Sequence, residues 1–355
     1  MSADSSSYPW HGELFRRLTR LRQTQKLPHA ILFTGQPGIG KEEFVQQWTA
    51  ALICRQLTVS GMACGQCDSC RQHQAGSYPD VMVLSAEPDQ RRVFENYPAQ
   101  RCQQRSGNRK TARTVITIDQ IRELIDKLAQ TSHQGGLKIA VILSVDALNI
   151  EASNALLKLL EEPPDSTLLL LISERPLNLL ATIRSRCQRF EFHSPSSQEV
   201  IDWLGDDYSI SDRRQAVVFT GAAPRLARDL LYQEQLGQWL RPIEQLSALV
   251  RGQESILKVA GECEKQDRNW LTGLLQSWLR TLIGNCAGLA SEHGEQVGKN
   301  LRVQGDRVHL TGVFELIDLL NHYVATQGIA LNNRLMWEEF LLIWQTRCLK
   351  KIVQN

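Results

Sequence analysis

The stretch that decides the fold lies near the start of the chain and reads His29-Ala30-Ile31-Leu32-Phe33-Thr34-Gly35-Gln36-Pro37-Gly38-Ile39-Gly40-Lys41. Its first half is a short apolar run of the kind that forms a buried β-strand. The second half has the G-x-x-x-x-G-K spacing of a phosphate-binding loop, in which backbone N–H groups and the lysine ammonium face phosphate oxygens. We therefore predict a strand that leads into a nucleotide-binding loop made by Gly35, Gly38, Gly40 and Lys41. A glycine-rich turn without a ligand is the alternative.

The residues that would hold a metal ion beside this loop are missing. A hydroxyl residue normally follows the lysine and ligates Mg²⁺, whereas Glu42 stands there. Two acidic residues are also expected at the end of the apolar run 139–143, but Leu143 and Ser144 stand there, and the only acid, Asp146, follows two residues later. We expect ATP binding to be weak or absent and this chain alone not to hydrolyse ATP.

Apolar runs alternate with helical patterns through the first 192 residues. The predicted strands cover residues 29–34, 81–84, 139–143 and 168–172, and the predicted helices include residues 118–128 and 153–162. Such alternation predicts an α/β domain with a parallel sheet. Linker-like residues 193–197 end it, and only helical patterns follow. The expected domains are 1–194, a small helical domain over 195–235 and a larger helical one over 236–355.

Two stretches of the larger helical domain are rich in apolar residues. Those between Leu271 and Ile283 recur at the spacing of one buried helix face. Residues 335–348 are apolar on more than one face, which fits either a helical core or contact with a partner.

Composition excludes several classes of protein. The chain has 355 residues, 42% of them hydrophobic, and a formal net charge of +2, which is unlike a disordered chain or a strongly basic nucleic-acid coat. Apolar runs such as residues 168–172 are far shorter than the roughly 20 residues of a membrane helix. We expect a cytoplasmic protein without membrane contacts, in which the nine cysteines are thiols or metal ligands.

Four of the cysteines form a cluster. Cys54, Cys64, Cys67 and Cys70 lie within residues 54–70, the last three at C-x₂-C-x₂-C spacing. Four thiolates so close in sequence can close a tetrahedral Zn²⁺ site, which leaves no open position for catalysis. We predict an inserted structural zinc module, with four incidental cysteines as the alternative.

A basic stretch lies between Arg91 and Arg113, with seven basic residues against the single acid Glu95, and with Phe94 and Tyr97 among them. It is either a loop that contacts nucleic-acid phosphates or a solvated surface loop.

Several separate segments carry a family resemblance. They are the strand and loop already quoted, preceded by Leu27-Pro28; the cysteine module; Ser153-Asn154-Ala155-Leu156-Leu157-Lys158 with Leu160-Glu161-Glu162-Pro163-Pro164; and Ser185-Arg186-Cys187. Together they resemble the delta-prime family of bacterial DNA polymerase III clamp-loader subunits. The match covers about the first 190 residues well and is thinner beyond, at residues 221–225 and 333–335.

The resemblance implies an AAA+ module, a helical lid and a helical collar within a five-subunit ring. Such a ring contains gamma or tau subunits and delta, and places the sliding clamp on primer-template DNA. In the family, the arginine of Ser185-Arg186-Cys187 acts in trans on a neighbour's ATP. We expect Arg186 to lie after the fourth strand, at the carboxyl end of the sheet. Without the resemblance, Arg184, Arg186 and Arg189 would pass as a solvated basic turn.

Ser173 and Arg225 match the positions of γ-phosphate sensors in active family members, and are expected to be vestigial or structural here. Two other functions remain open: an active clamp-loader ATPase of gamma or tau type, and a zinc-dependent nucleic-acid-binding protein. The changes at Glu42, Leu143 and Ser144 disfavour the first, and the modest net charge disfavours the second.

Overall fold

The computed structural model describes residues 8–86, 94, 115–232, 236–250, 253–266, 268–286, 309–325 and 332–348. The basic stretch 91–113 lies outside the described residues except for Phe94. The chain divides into two compact units, Met1–Ser194 and Pro195–Asn355.

The first unit is built on a parallel sheet of five strands in the order β2-β3-β4-β1-β5. The strands are β1 (Ala30–Thr34), β2 (Val81–Leu84), β3 (Lys138–Ile142), β4 (Thr167–Ser173) and β5 (Gln188–Glu191). Every residue of β1, β3 and β4 is buried, as expected for strands of a parallel sheet with both faces covered. The predicted α/β class is confirmed.

Sequence patterns did not predict β5. Of its four residues only Phe190 is buried, because β5 is an edge strand that pairs with β1 alone. An edge strand needs no continuous apolar run, so its polar sequence concealed it.

Six α-helices accompany the sheet among the residues that the structure describes. They are α1 (Gly12–Gln23), α2 (Lys41–Ile53), α3 (Asp68–Gln74), α4 (Ile118–Ala129), α5 (Ile150–Glu161) and α6 (Ala181–Arg186). Alternate residues of β1 enter two separate cores. Ile31 and Phe33 pack in the core that contains residues of α1 and α2, and Leu32 packs in the core that contains residues of α4 and α5.

The second unit contains helices and no strand among its described residues. The helices are α7 (Ser197–Trp203), α8 (Ile210–Phe219), α9 (Pro224–Tyr232), α10 (Leu236–Val250), α11 (Ile256–Glu264), α12 (Arg268–Cys286), α13 (Leu310–Ala325) and α14 (Asn333–Ile343). Its division into a lid and a collar stays a prediction. In neither unit is a described helix both long and apolar enough to span a bilayer.

The apolar face predicted on α12 is buried in the core of this unit. Trp278 is almost inaccessible, and its ring lies 5.0 Å from that of Trp344. Residues 335–348 were expected to form either a helical core or a contact with a partner. Phe340 and Trp344 are buried, as a core requires, whereas Leu335 and Leu342 are more than half exposed.

Candidate functional sites

The glycine-rich loop joins the carboxyl end of β1 to α2. Gly38 and Gly40 have φ angles of 73° and 95°, a backbone conformation that glycine adopts without strain. Gly40 is also the N-cap residue of α2. A side chain on Gly40 would meet the Tyr8 ring, since an added Cβ would lie 2.2 Å from Tyr8 Cε2. The loop is therefore covered by the segment that begins at Tyr8.

Lys41 is folded back onto its own loop. Its ammonium donates hydrogen bonds to the carbonyl oxygens of Gly35 at 2.8 Å and Gln36 at 2.7 Å. The same group lies 3.8 Å from a carboxylate oxygen of Glu174, and the Lys41 side chain is only 4% exposed. The positive charge that would meet phosphates is thus already compensated within the first unit.

The positions that should anchor a metal ion have other surroundings. Glu42 lies in the first turn of α2, and Leu143 is buried in the core. The late acid, Asp146, accepts hydrogen bonds from the Ser173 hydroxyl at 2.6 Å and from the Glu174 backbone N–H at 2.7 Å. Asp146 therefore fastens the end of β4, a structural contact that the sequence did not reveal.

His11 is buried beside the loop among aromatic rings. Its ring lies 4.9 Å from that of Phe192 and 5.5 Å from that of Phe44. Burial lowers the pKa of His11 from 6.5 to about 3, although a hydrogen bond with the Ile39 backbone acts in the opposite direction. His11 is consequently neutral at ordinary pH.

The four clustered cysteines come together as predicted. Their sulfur atoms all lie within 4.8 Å of one another, with 4.0 Å between Cys54 and Cys67 and 3.9 Å between Cys64 and Cys70. A tetrahedral ion with bonds of about 2.3 Å to sulfur requires sulfur–sulfur distances of about 3.8 Å. The cluster thus has the donors, number and spacing to hold a metal ion.

Backbone N–H groups point at the sulfur atoms of this cluster. The N–H of Cys64 donates to Cys54 Sγ at 3.3 Å, and that of Cys67 donates to Cys64 Sγ at 3.4 Å. The N–H groups of Gln66 and Cys67 lower the pKa of the Cys64 thiol. At Cys64 these donors favour the thiolate form, which is the form that binds a metal.

Arg22 links α1 to the start of the cysteine module. Its guanidinium donates to the carbonyl oxygens of Ala51 at 2.8 Å and Leu52 at 2.7 Å, in the last turn of α2. These carbonyls lack partners within the helix, and Cys54 follows the helix directly. Arg22 therefore fixes the end of the helix from which the first candidate ligand projects. No sequence motif marked it.

Arg186 is the last residue of α6 and precedes β5. Its guanidinium forms an ion pair with Glu161 at 2.5 Å and donates to the Thr182 carbonyl oxygen at 3.1 Å. The expected position at the carboxyl end of the sheet was wrong. Because α6 carries the chain from the end of β4 to the start of β5, Arg186 lies at the amino edge, opposite the glycine-rich loop.

The neighbours of Arg186 in sequence make local contacts. The Ser185 hydroxyl donates to the Thr182 carbonyl oxygen at 3.0 Å. Cys187 is buried in the core that contains residues of α4 and α5, and burial raises its pKa to about 12. These two residues support the segment, while Arg186 remains 36% exposed.

Phe94 does not extend the basic stretch as an exposed aromatic residue. Its side chain is 1% exposed within the core that contains residues of α1 and α2, and its ring lies 6.1 Å from that of His73. A buried ring cannot stack on nucleic-acid bases, so Phe94 itself makes no such contact. The two alternatives for the basic stretch both remain predictions, because its other residues lie outside the described ones.

Comparison with known proteins identifies the family. A family model described as "DNA polymerase III, delta subunit" matches residues 10–196. A protein named DNA polymerase III subunit delta' from Pseudomonas aeruginosa is 34% identical over 71% of this chain and 67% of its own length. The chain belongs to the delta-prime family of DNA polymerase III subunits. The predicted resemblance is confirmed.

Other relatives of this delta-prime family chain extend the match. A delta' subunit from Yersinia pestis is 29% identical and covers 96% of this chain and 95% of its own length. A protein named DNA polymerase III subunit tau from Bacillus subtilis is 30% identical over 57% of this chain and 31% of its own length.

Residues from three of the segments that suggested the delta-prime family meet at the amino edge of the sheet. His29, just before β1, contacts the Leu160 carbonyl oxygen through Nε2 at 3.1 Å. The next residue, Glu161, ends α5 and holds Arg186. Of the candidate sensors, Ser173 is buried and bound to Asp146, and Arg225 belongs to α9 of the second unit.

Proposed function

We propose that this delta-prime family chain is a non-catalytic subunit of a clamp loader, assembled with gamma or tau subunits and delta. The complex places the sliding clamp on primer-template DNA, and this chain donates Arg186 to the ATP site of a neighbour. The position of Arg186 at the edge opposite its own glycine-rich loop carries this proposal.

The geometry supports action on another subunit. The two edges are separated by the length of β1, five residues or about 16 Å at 3.3 Å per residue. Arg186 therefore cannot reach phosphates bound at its own loop, whereas a head-to-tail ring brings one edge of a subunit to the opposite edge of the next. An arginine fork then stabilises the charge that spreads over the γ-phosphoryl oxygens during transfer.

The rest of the first unit supports an assembly role. The Lys41 ammonium lies 3.8 Å from a Glu174 carboxylate oxygen, and Glu42 replaces the hydroxyl that would hold Mg²⁺. We further propose that the four cysteines hold one structural Zn²⁺, since a site closed by four thiolates offers no open position. A cytoplasmic location fits these reduced thiols.

The test is ATP hydrolysis, measured first on this chain alone and then on the ring with gamma or tau, delta, clamp and primed DNA. We expect no turnover by the single chain and a loss of about 10³-fold or more at the neighbouring site in Arg186→Ala. Arg184→Ala, on the same helix, is the matched control and should retain activity. Full activity of the Arg186→Ala ring would refute the proposal.

A gamma- or tau-type ATPase is the alternative, favoured by the similarity to the Bacillus subtilis tau subunit. It predicts that the chain alone hydrolyses ATP and that Lys41→Ala abolishes this turnover.

A further inference from the structure

Two hydrogen-bonding groups of its own subunit hold the guanidinium of Arg186. One nitrogen lies 2.5 Å from a Glu161 carboxylate oxygen, and the other donates to the Thr182 carbonyl oxygen at 3.1 Å. Both charged side chains are accessible, with exposed fractions of 36% for Arg186 and 49% for Glu161. The ion pair therefore lies at the surface, where an approaching anion can compete with it.

The fold brings the two partners together across 25 positions of sequence. Glu161 ends α5 and Arg186 ends α6, and both helices return the chain to the amino edge of the sheet. A cation at the end of α5 also faces the negative end of a helix dipole. The bond between His29 and the Leu160 carbonyl oxygen fixes this end of α5 against the start of β1.

We propose that Glu161 is a positioning residue that holds Arg186 against its own subunit until a neighbour's ATP displaces the carboxylate. The inference rests on the proposed role of Arg186 in trans. A guanidinium edge that is bonded to a carboxylate is not available to a phosphate, and the glutamate charge repels the γ-phosphate. The triphosphate carries more negative charge than one carboxylate, so it can displace Glu161 from the guanidinium of Arg186 once the subunits meet.

Removing the Glu161 charge should therefore favour the neighbouring site. An exposed ion pair is weak, so we expect Glu161→Gln to lower the KM for ATP in the reconstituted ring by about two- to five-fold. The value of kcat should stay unchanged, because Arg186 makes the same contact in the transition state. A merely structural role for Glu161 would raise KM or lower kcat when the side chain is changed.

The matched control is Glu162→Gln, which removes the same charge from the next exposed residue and should leave KM unchanged. Glu161→Ala gives a second test of the position and should lower KM in the same direction. In the double variant Glu161→Gln with Arg186→Ala, the effect of the first substitution should vanish, because it acts only through the arginine.

The outcomes separate the two proposals. An unchanged or raised KM in both Glu161 variants, together with a strong loss in Arg186→Ala, would overturn the role of Glu161 alone. Unchanged activity in Arg186→Ala would instead remove the proposed trans role of the arginine and the inference with it.

Discussion

The ammonium group of Lys41 lies 3.8 Å from a carboxylate oxygen of Glu174, and the two residues belong to the segments that follow the neighbouring strands β1 and β4. Thr34 at the end of β1 is paired with Ser173 at the end of β4, so the residues that follow these strands emerge side by side. The glycine-rich loop consequently meets an acidic side chain where a phosphate would need positive charge. The contacts of Lys41 hold this loop together from within.

Lys41→Ala should lower stability without changing nucleotide binding. The lost hydrogen bonds of a buried ammonium are expected to cost about 2 kcal/mol in the free energy of unfolding, measured by urea denaturation. Titration with a fluorescent ATP analogue should give the same background signal for both proteins. Lys26→Ala, at an exposed position, should leave stability unchanged. A nucleotide affinity that disappears in Lys41→Ala would contradict this prediction.

Cys67→Ser should remove a bound metal ion. We expect about one zinc ion per chain in the purified protein, as one tetrahedral site requires, and a strong loss of zinc in the variant by elemental analysis. The melting temperature of the first unit should fall, because metal binding contributes to the free energy of folding. Cys263→Ala, in α11 of the second unit, is the control and should keep its zinc. A folded wild-type chain without metal would rule out the zinc module.

Arg22→Gln should weaken the junction between α2 and the cysteine module. The variant loses two charged hydrogen bonds to the last-turn carbonyls, and we expect a loss of about 2 kcal/mol in the free energy of unfolding. Cys54, the first candidate zinc ligand, directly follows the last residue of α2. Zinc should therefore also dissociate faster from the variant, measured with a chromogenic chelator. The exposed neighbour Arg20 gives the control, since Arg20→Gln should change stability by less than about 0.5 kcal/mol. Equal behaviour of the two variants would exclude this role for Arg22.

Acidification should destabilise the first unit through His11. The unfolded chain takes up a proton at this residue near pH 6.5, whereas the folded protein does not until about pH 3. The neutral, buried His11 therefore contributes its full share to the free energy of unfolding above pH 6.5. That share is lost as the pH falls toward 3, by about 1.4 kcal/mol per pH unit.

Urea denaturation between pH 7.5 and pH 5 measures this slope, that is, how steeply the free energy of unfolding falls with decreasing pH. His11→Phe, which preserves an aromatic ring without a titrating group, should flatten it. The exposed-residue control His193→Gln should keep it, because no buried group is removed. An unchanged slope in His11→Phe would show that other groups cause the acid sensitivity.

Much of the first unit could be predicted from local patterns. The apolar runs of β1 and β4 are continuous because both faces of the sheet are covered. β5 was not predicted because this edge strand has one buried residue, Phe190, and therefore no continuous apolar run. The burial of Phe94 was also not predicted, since a charged sequence context does not reveal that one ring is inserted into the core.

By itself, the sequence determined the strand that leads into a glycine-rich loop, the spacing of Cys64, Cys67 and Cys70, and the loss of the hydroxyl at Glu42. Each of these features is local, because it depends on residues a few positions apart. Only the tertiary structure decided that Arg186 meets Glu161 and that it lies at the edge opposite Lys41. Strand order and the return direction of α5 and α6 determine these relationships, and they join residues too distant in sequence for any periodicity to record.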